Sequence, residues 1–114
     1  MNSNILTALL LFFFTHIIIW LQVNGQFVWS WCKDNPILMS LIGFPISYLL
    51  IVATKYIVVG FDGLLWPGRL VGFGSGIIVM AILTWAFLGE GITTKTLVSI
   101  ALATVLCCIQ VFWK

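Results

Sequence analysis

The chain has 114 residues, 62% of them hydrophobic and 7% charged, with a formal net charge of +2. A mean hydropathy of +1.21 excludes an ordinary soluble domain, and five scattered Lys and Arg exclude a nucleic-acid surface, which needs clustered basic residues. Runs such as LLLFFFTHIII and LLIVATKYIVV lack the alternation of apolar and polar residues that a transmembrane barrel requires.

What remains is an all-α integral membrane protein. A helix of about 20 apolar residues crosses hydrocarbon roughly 30 Å thick, and four such runs fit, over residues 5–23, 37–59, 70–88 and 94–112. Together they make one four-helix transmembrane domain over residues 1–114. The lipid bilayer is the expected partner, in a bacterial inner (plasma) membrane, and no nucleic acid is expected.

The first run is read as a permanent helix, because MNSNILT lacks the positive region of a signal peptide and no small-residue cleavage pattern precedes Asn24. His16 is its one ionisable side chain. It stands four residues from Phe12 and four from Trp20, so the three share a face. An imidazole can exchange protons near neutral pH, which makes His16 a candidate for a proton or substrate path. The plainer alternative is a neutral histidine bonded to a neighbouring carbonyl or hydroxyl.

Asn24-Gly25 is a turn signal, and the segment after it carries Phe27, Trp29 and Trp31, which suit the headgroup level. Trp29 and Trp31 are therefore expected to be interfacial anchors. Pro36 opens the second helix, where its missing N–H costs nothing. Pro45 lies inside that helix and should free the Leu41 carbonyl and bend the chain. Lys55 is expected to snorkel to the headgroups, and its neighbour Tyr56 is a second path candidate.

The connector GFDGLLWPGR ends the second helix. Trp66 is expected to be an interfacial anchor, and Arg69 beside it is expected chiefly to anchor the helix there as well; its planar fork alternatively suits a lipid phosphate or an anionic substrate. Gly68, Gly72 and Gly76 recur every four residues on one face of helix three. Lipid supplies no hydrophobic drive for helices to associate, so close approach across small residues provides the packing. Ser99, Ala103 and Cys107 form a matching stripe on helix four, which is expected to meet helix three or the same helix of another copy. A leucine at Gly72 is expected to break up oligomers. Gly74 and Gly76 are alternatively places where helix three bends during a transport cycle. GEGIT is short enough to make helices three and four an antiparallel hairpin, and Glu90 is expected to cap helix four.

The run GSGIIVMAILTWAFLGEGITTKTLVSIALATVLCCIQVFW resembles the third and fourth helices of small multidrug resistance (SMR) proteins and the wider drug/metabolite transporter group. The shared features are a Gly-x-Gly at Gly74 and Gly76, the ending Thr84-Trp85-x-Phe87-Leu88-Gly89 with Glu90 in the turn, and an apolar fourth helix. The resemblance implies an SMR-like four-helix fold and a small transporter-like protein acting as a homo-oligomer, the antiparallel dimer being favoured. The family's multidrug exporters use a glutamate in helix one, and no carboxylate stands there in this chain. Arg69 and Gly72 stand where the family's drug site carries Tyr and Trp. A proton-coupled exporter of cationic drugs is therefore not expected. The wider group includes lipid-linked sugar flippase subunits without that glutamate, which leaves an unknown small molecule or lipid-linked substrate.

Lys33 and Lys95 balance Lys55, Arg69 and Lys114 across the expected topology, so the positive-inside bias is close to nil. Cys32, Cys107 and Cys108 define no disulfide framework. One histidine and scattered cysteines make no metal site, no cofactor is implied, and the absence of paired carboxylates or a nucleophile with its base makes an enzyme the least favoured class. The rival to transport is a non-transporting membrane assembly protein or a holin-like pore former, in which the small-residue stripes build the assembly.

Overall fold

A computed structural model of the chain describes residues 3–113. Six α-helices, a 3₁₀ turn and a π turn make up its regular structure, and no strand occurs among the described residues. Helix α1 spans Ser3–Asn24, α2 Ser30–Asp34, α3 Pro36–Leu41, α4 Gly43–Gly60, α5 Trp66–Leu83 and α6 Thr94–Phe112. Four stretches are long and apolar enough to cross a membrane: Ser3–Phe27, Pro36–Gly60, Trp66–Leu88 and Thr94–Phe112.

The punctuation of the chain explains most of the boundaries. Asn24-Gly25 does not turn the chain abruptly; a 3₁₀ turn over Gly25–Phe27 continues α1 and leads into the short α2. The second span is broken at Ile42, between α3 and α4. The break sits where Pro45 cannot donate to the carbonyl four residues back, and Ile42 N–H turns instead to Met39 O at 3.2 Å. Gln22 of α1 donates to Met39 O, at 3.1 Å. Asp62 (φ 57°) and Gly63 (φ 88°) take left-handed conformations after α4, and Gly63 N–H returns to Val58 O at 2.8 Å, closing the helix end.

The third span starts four residues earlier than its apolar run, at Trp66, because Pro67 falls in the first turn, where a proline is preorganised for the helix. Arg69 is thus inside α5 rather than ahead of it. The span ends in a π turn over Thr84–Leu88, followed by Gly89 at φ 66°. Thr93, not Glu90, caps α6, its side chain accepting from Thr96 N–H at 3.2 Å.

Contacts between helices follow from small residues meeting large ones. A Cβ at Gly60 would lie 2.6 Å from Ile5, one at Gly68 2.5 Å from Ile57, and one at Gly72 3.3 Å from Phe12. Pairs 12 with 72, 16 with 76 and 20 with 84 climb together, so α1 and α5 run parallel. Ile5 meets Gly60 while Gln22 meets Met39, so α1 and the second span run antiparallel. The order across the molecule is α4, α1, α5, α6, in an envelope of 46 × 35 × 18 Å.

The glycine stripe therefore lies inside one protomer, against α1 and α4. It does not face α6. That contact is made by Gly74, which opposes Cys107 and Ala103, with Cys107 Sγ donating to Val71 O at 3.8 Å. Of the α6 stripe, Ala103 is buried and Cys107 half-buried, but Ser99 is exposed and bonds back to Lys95 O. A leucine at Gly72 would collide with Phe12 in the monomer, so the test of oligomers that the sequence pointed to is a test of the protomer's own seam.

Large apolar side chains are exposed along every span, among them Leu10, Phe14, Phe44, Ile51, Phe73, Ile82, Leu102 and Ile109. Exposed apolar surface of this extent is compatible with an apolar surrounding. α6 is the least covered span.

Candidate functional site

The stripe of α1 that carries Phe12, His16 and Trp20 forms the floor of a cleft. Phe12 and Trp20 are buried, at 4% and 3% exposure, and His16 is half-buried between them. Helix α4 supplies one wall through Leu50 and Thr54, and α5 the other through Arg69, Gly72 and Phe73. The two walls pinch together where Ile57 meets Gly68 and part beyond that point, leaving a space of about 500 Å³.

A second space of about 460 Å³ continues along the seam of α1 and α5 to Asn24, Ile77 and Met80. His16, Ile19 and Phe73 line both spaces. Through these shared residues the two adjoin as a groove between Arg69, near the Ser3 end of the molecule, and Asn24 at the other. With a rise of 1.5 Å per residue, the stretch of α5 from Arg69 to Met80 is about 17 Å long, a little over half of a hydrocarbon core roughly 30 Å thick.

His16 stands near the middle of this groove. Its Nδ1 is 2.7 Å from Phe12 O. A carbonyl can only accept, so Nδ1 donates the hydrogen, and Nε2 is the ring's other polar atom. That atom faces Gly76, where a Cβ would come within 2.7 Å of it. The glycine thus makes room for the ring, and the His16 side chain lines both spaces. The plainer expectation for His16, a ring bonded to a carbonyl, describes Nδ1; the carbonyl belongs to its own helix rather than to a neighbour.

Thr54 stands near the Arg69 end, its hydroxyl donating to Leu50 O at 2.7 Å. At the opposite end Asn24 reaches Met80 Sδ at 4.0 Å. No Asp or Glu is among the side chains lining either space. Arg69 is exposed and is the only permanent charge on the lining.

Two of the three path residues expected from the sequence, His16 and Arg69, come together on this groove. Tyr56 does not line it and is 37% exposed. Thr54 and Asn24, which sequence reasoning passed over, do line it. Their signal was faint: Thr54 lies one turn before the Ile57 that meets Gly68, but an isolated threonine in an apolar run ordinarily bonds its own helix.

Towards the Asn24 end an aromatic cluster ties α1 to the end of the third span. Trp20 Nε1 donates to Thr84 Oγ1 at 3.0 Å, in the first residue of the π turn. The ring of Phe87 lies 5.4 Å from that of Trp20 and 5.9 Å from that of Trp29. Trp29 therefore joins the connector to the third span while staying 43% exposed, and Trp31 at the same end and Trp66 at the other are more exposed still. Among the described residues no group of His, Cys, Asp and Glu is placed to hold a metal ion. No protein-family model, curated protein or solved structure matches the chain.

Proposed function

We propose that the chain is a small transporter-like integral membrane protein of the SMR type, acting as a homo-oligomer. Its helices three and four form the antiparallel hairpin of that type, and the antiparallel dimer is its favoured state in a bacterial plasma membrane. The observation that carries this reading is the groove along α1 and α5, which extends over a little more than half of the expected bilayer depth and is lined near its middle by His16. A purely structural helix bundle gains nothing from such a groove, since an unfilled cleft loses packing contacts, and polar side chains inside membranes mark pathways. Four short spans enclose the groove only on one side. A second copy is what would cover the other.

The test is thiol accessibility in a variant whose native cysteines are replaced. A cysteine at Ile19, on the groove, is expected to react with a water-soluble maleimide in lipid nanodiscs, whereas one at Leu10, which is 64% exposed on the apolar surface, is expected to stay unlabelled. Equal protection of both would make the groove dry and remove the transport reading in favour of an assembly protein.

A further inference from the structure

The groove has one permanent charge, and its sign is positive. We infer that it binds an anion-headed amphiphile, with the headgroup at Arg69 and Thr54 and the alkyl chain along the seam of α1 and α5; this rests on the groove being a membrane path.

Arg69 lines the first space together with Thr54, His16 and Phe73. No salt bridge engages it among the described residues, and no carboxylate lines the groove. A cationic ligand would meet an uncompensated guanidinium there, which in a low-dielectric setting is strongly unfavourable. An anion would instead gain a planar donor fork matched to phosphate or carboxylate oxygens. Thr54 adds a hydroxyl whose hydrogen is already given to Leu50 O, so its lone pairs face a ligand hydroxyl rather than the anion itself.

Beyond Arg69 the lining turns apolar. Phe73, Ile77 and Met80 of α5, with Ile19 of α1 beside them, line the eleven residues of α5 that follow Arg69, about 17 Å along the helix axis. That shape takes an alkyl chain. A small hydrophilic anion would leave this stretch empty, and a neutral lipid would leave Arg69 unused.

The experiment is native mass spectrometry of the full chain released from an uncharged maltoside detergent, with three probes: dodecyl phosphate, dodecyltrimethylammonium and inorganic phosphate. Dodecyl phosphate is expected to be retained saturably, in preference to the ammonium probe, and inorganic phosphate is expected not to displace it. R69Q should weaken retention by about ten- to a hundredfold, the loss typical of a charge-assisted anion contact, and R69K should fall between. I77W leaves Arg69 in place and fills the chain end of the groove, so it should weaken dodecyl phosphate as well; it also decides the matter if R69Q does not fold. Equal retention of the ammonium probe, or retention unchanged in both R69Q and I77W, would overturn the inference. Full displacement by inorganic phosphate would also overturn it, leaving a site for a water-borne anion. The two proposals fail separately. A reactive cysteine at position 19 without dodecyl phosphate retention keeps the path and loses the substrate class; retention with an unreactive cysteine does the reverse.

Discussion

Gly76 shows how a single residue carries two demands. Its missing side chain lets α5 approach α1 and leaves space for the His16 ring, whose Nδ1 is held by Phe12 O. In an exposed helix, Gly to Ala would gain up to about 1 kcal/mol. Here the new methyl group meets the imidazole at 2.7 Å, and the ring cannot retreat without losing its carbonyl partner. G76A is expected to destabilise the protomer by about 1–3 kcal/mol, the usual cost of overpacking. G91A, where nothing lies within 4 Å of the added Cβ, should change stability by less than about 0.5 kcal/mol. Unfolding of both variants in mixed micelles with rising SDS measures the difference. The spacing of Gly68, Gly72 and Gly76 was legible in the sequence, but the partner was not, since a small residue specifies closeness without specifying what comes close.

At the level of elements, Pro45 decides the shape of the second span. It removes one donor, and α3 and α4 separate at Ile42. The break lets Gln22 of α1 bond Met39 O, which ties α3 to α1 near the Asn24 end. Restoring the donor with P45A is expected to join α3 to α4 and to protect the amide at position 45, with about 1 kcal/mol from the added bond. Hydrogen exchange should show that amide slowed by roughly fivefold or more relative to the adjoining amides. The bend was legible from Pro45 alone. The identity of the acceptor that Gln22 would find was not, because it depends on how far α3 swings after the break. The π turn was equally hidden: Thr84 joins Trp20 across 64 positions of sequence, and no local pattern announces a partner so distant.

For the whole molecule, the charges sort by end. Lys55, Asp62 and Arg69 lie towards the end carrying Ser3, and Lys33, Asp34, Glu90 and Lys95 towards the end carrying Asn24. Lys114 falls outside the described residues. With two Lys or Arg at each end among the described residues, the positive-inside rule gives no preferred orientation. The chain is expected to insert both ways, and cysteines placed at Gly63 and Gly91 should each be labelled from both faces of inverted and right-side-out vesicles. K33Q together with K95Q should shift the population towards one orientation, with the Asp62 end on the cytoplasmic side. A single orientation in the unaltered chain would remove the antiparallel dimer from the proposal.

The sequence by itself determined that this chain carries four stretches long and apolar enough to span a membrane as helices, and that glycines and prolines punctuate them. Those properties depend on composition and on neighbours within a few residues, and hydrocarbon thickness converts them directly into helices. Only the tertiary structure decided that the glycine stripe turns inward to α1 and α4, that α6 is met by Gly74, and that His16 and Arg69 share a groove while Tyr56 does not. In a chain apolar on all sides, the hydrophobic pattern does not distinguish a face that meets a helix from one that meets lipid. The fit of individual side chains settles that choice, and it exists only once the helices are side by side.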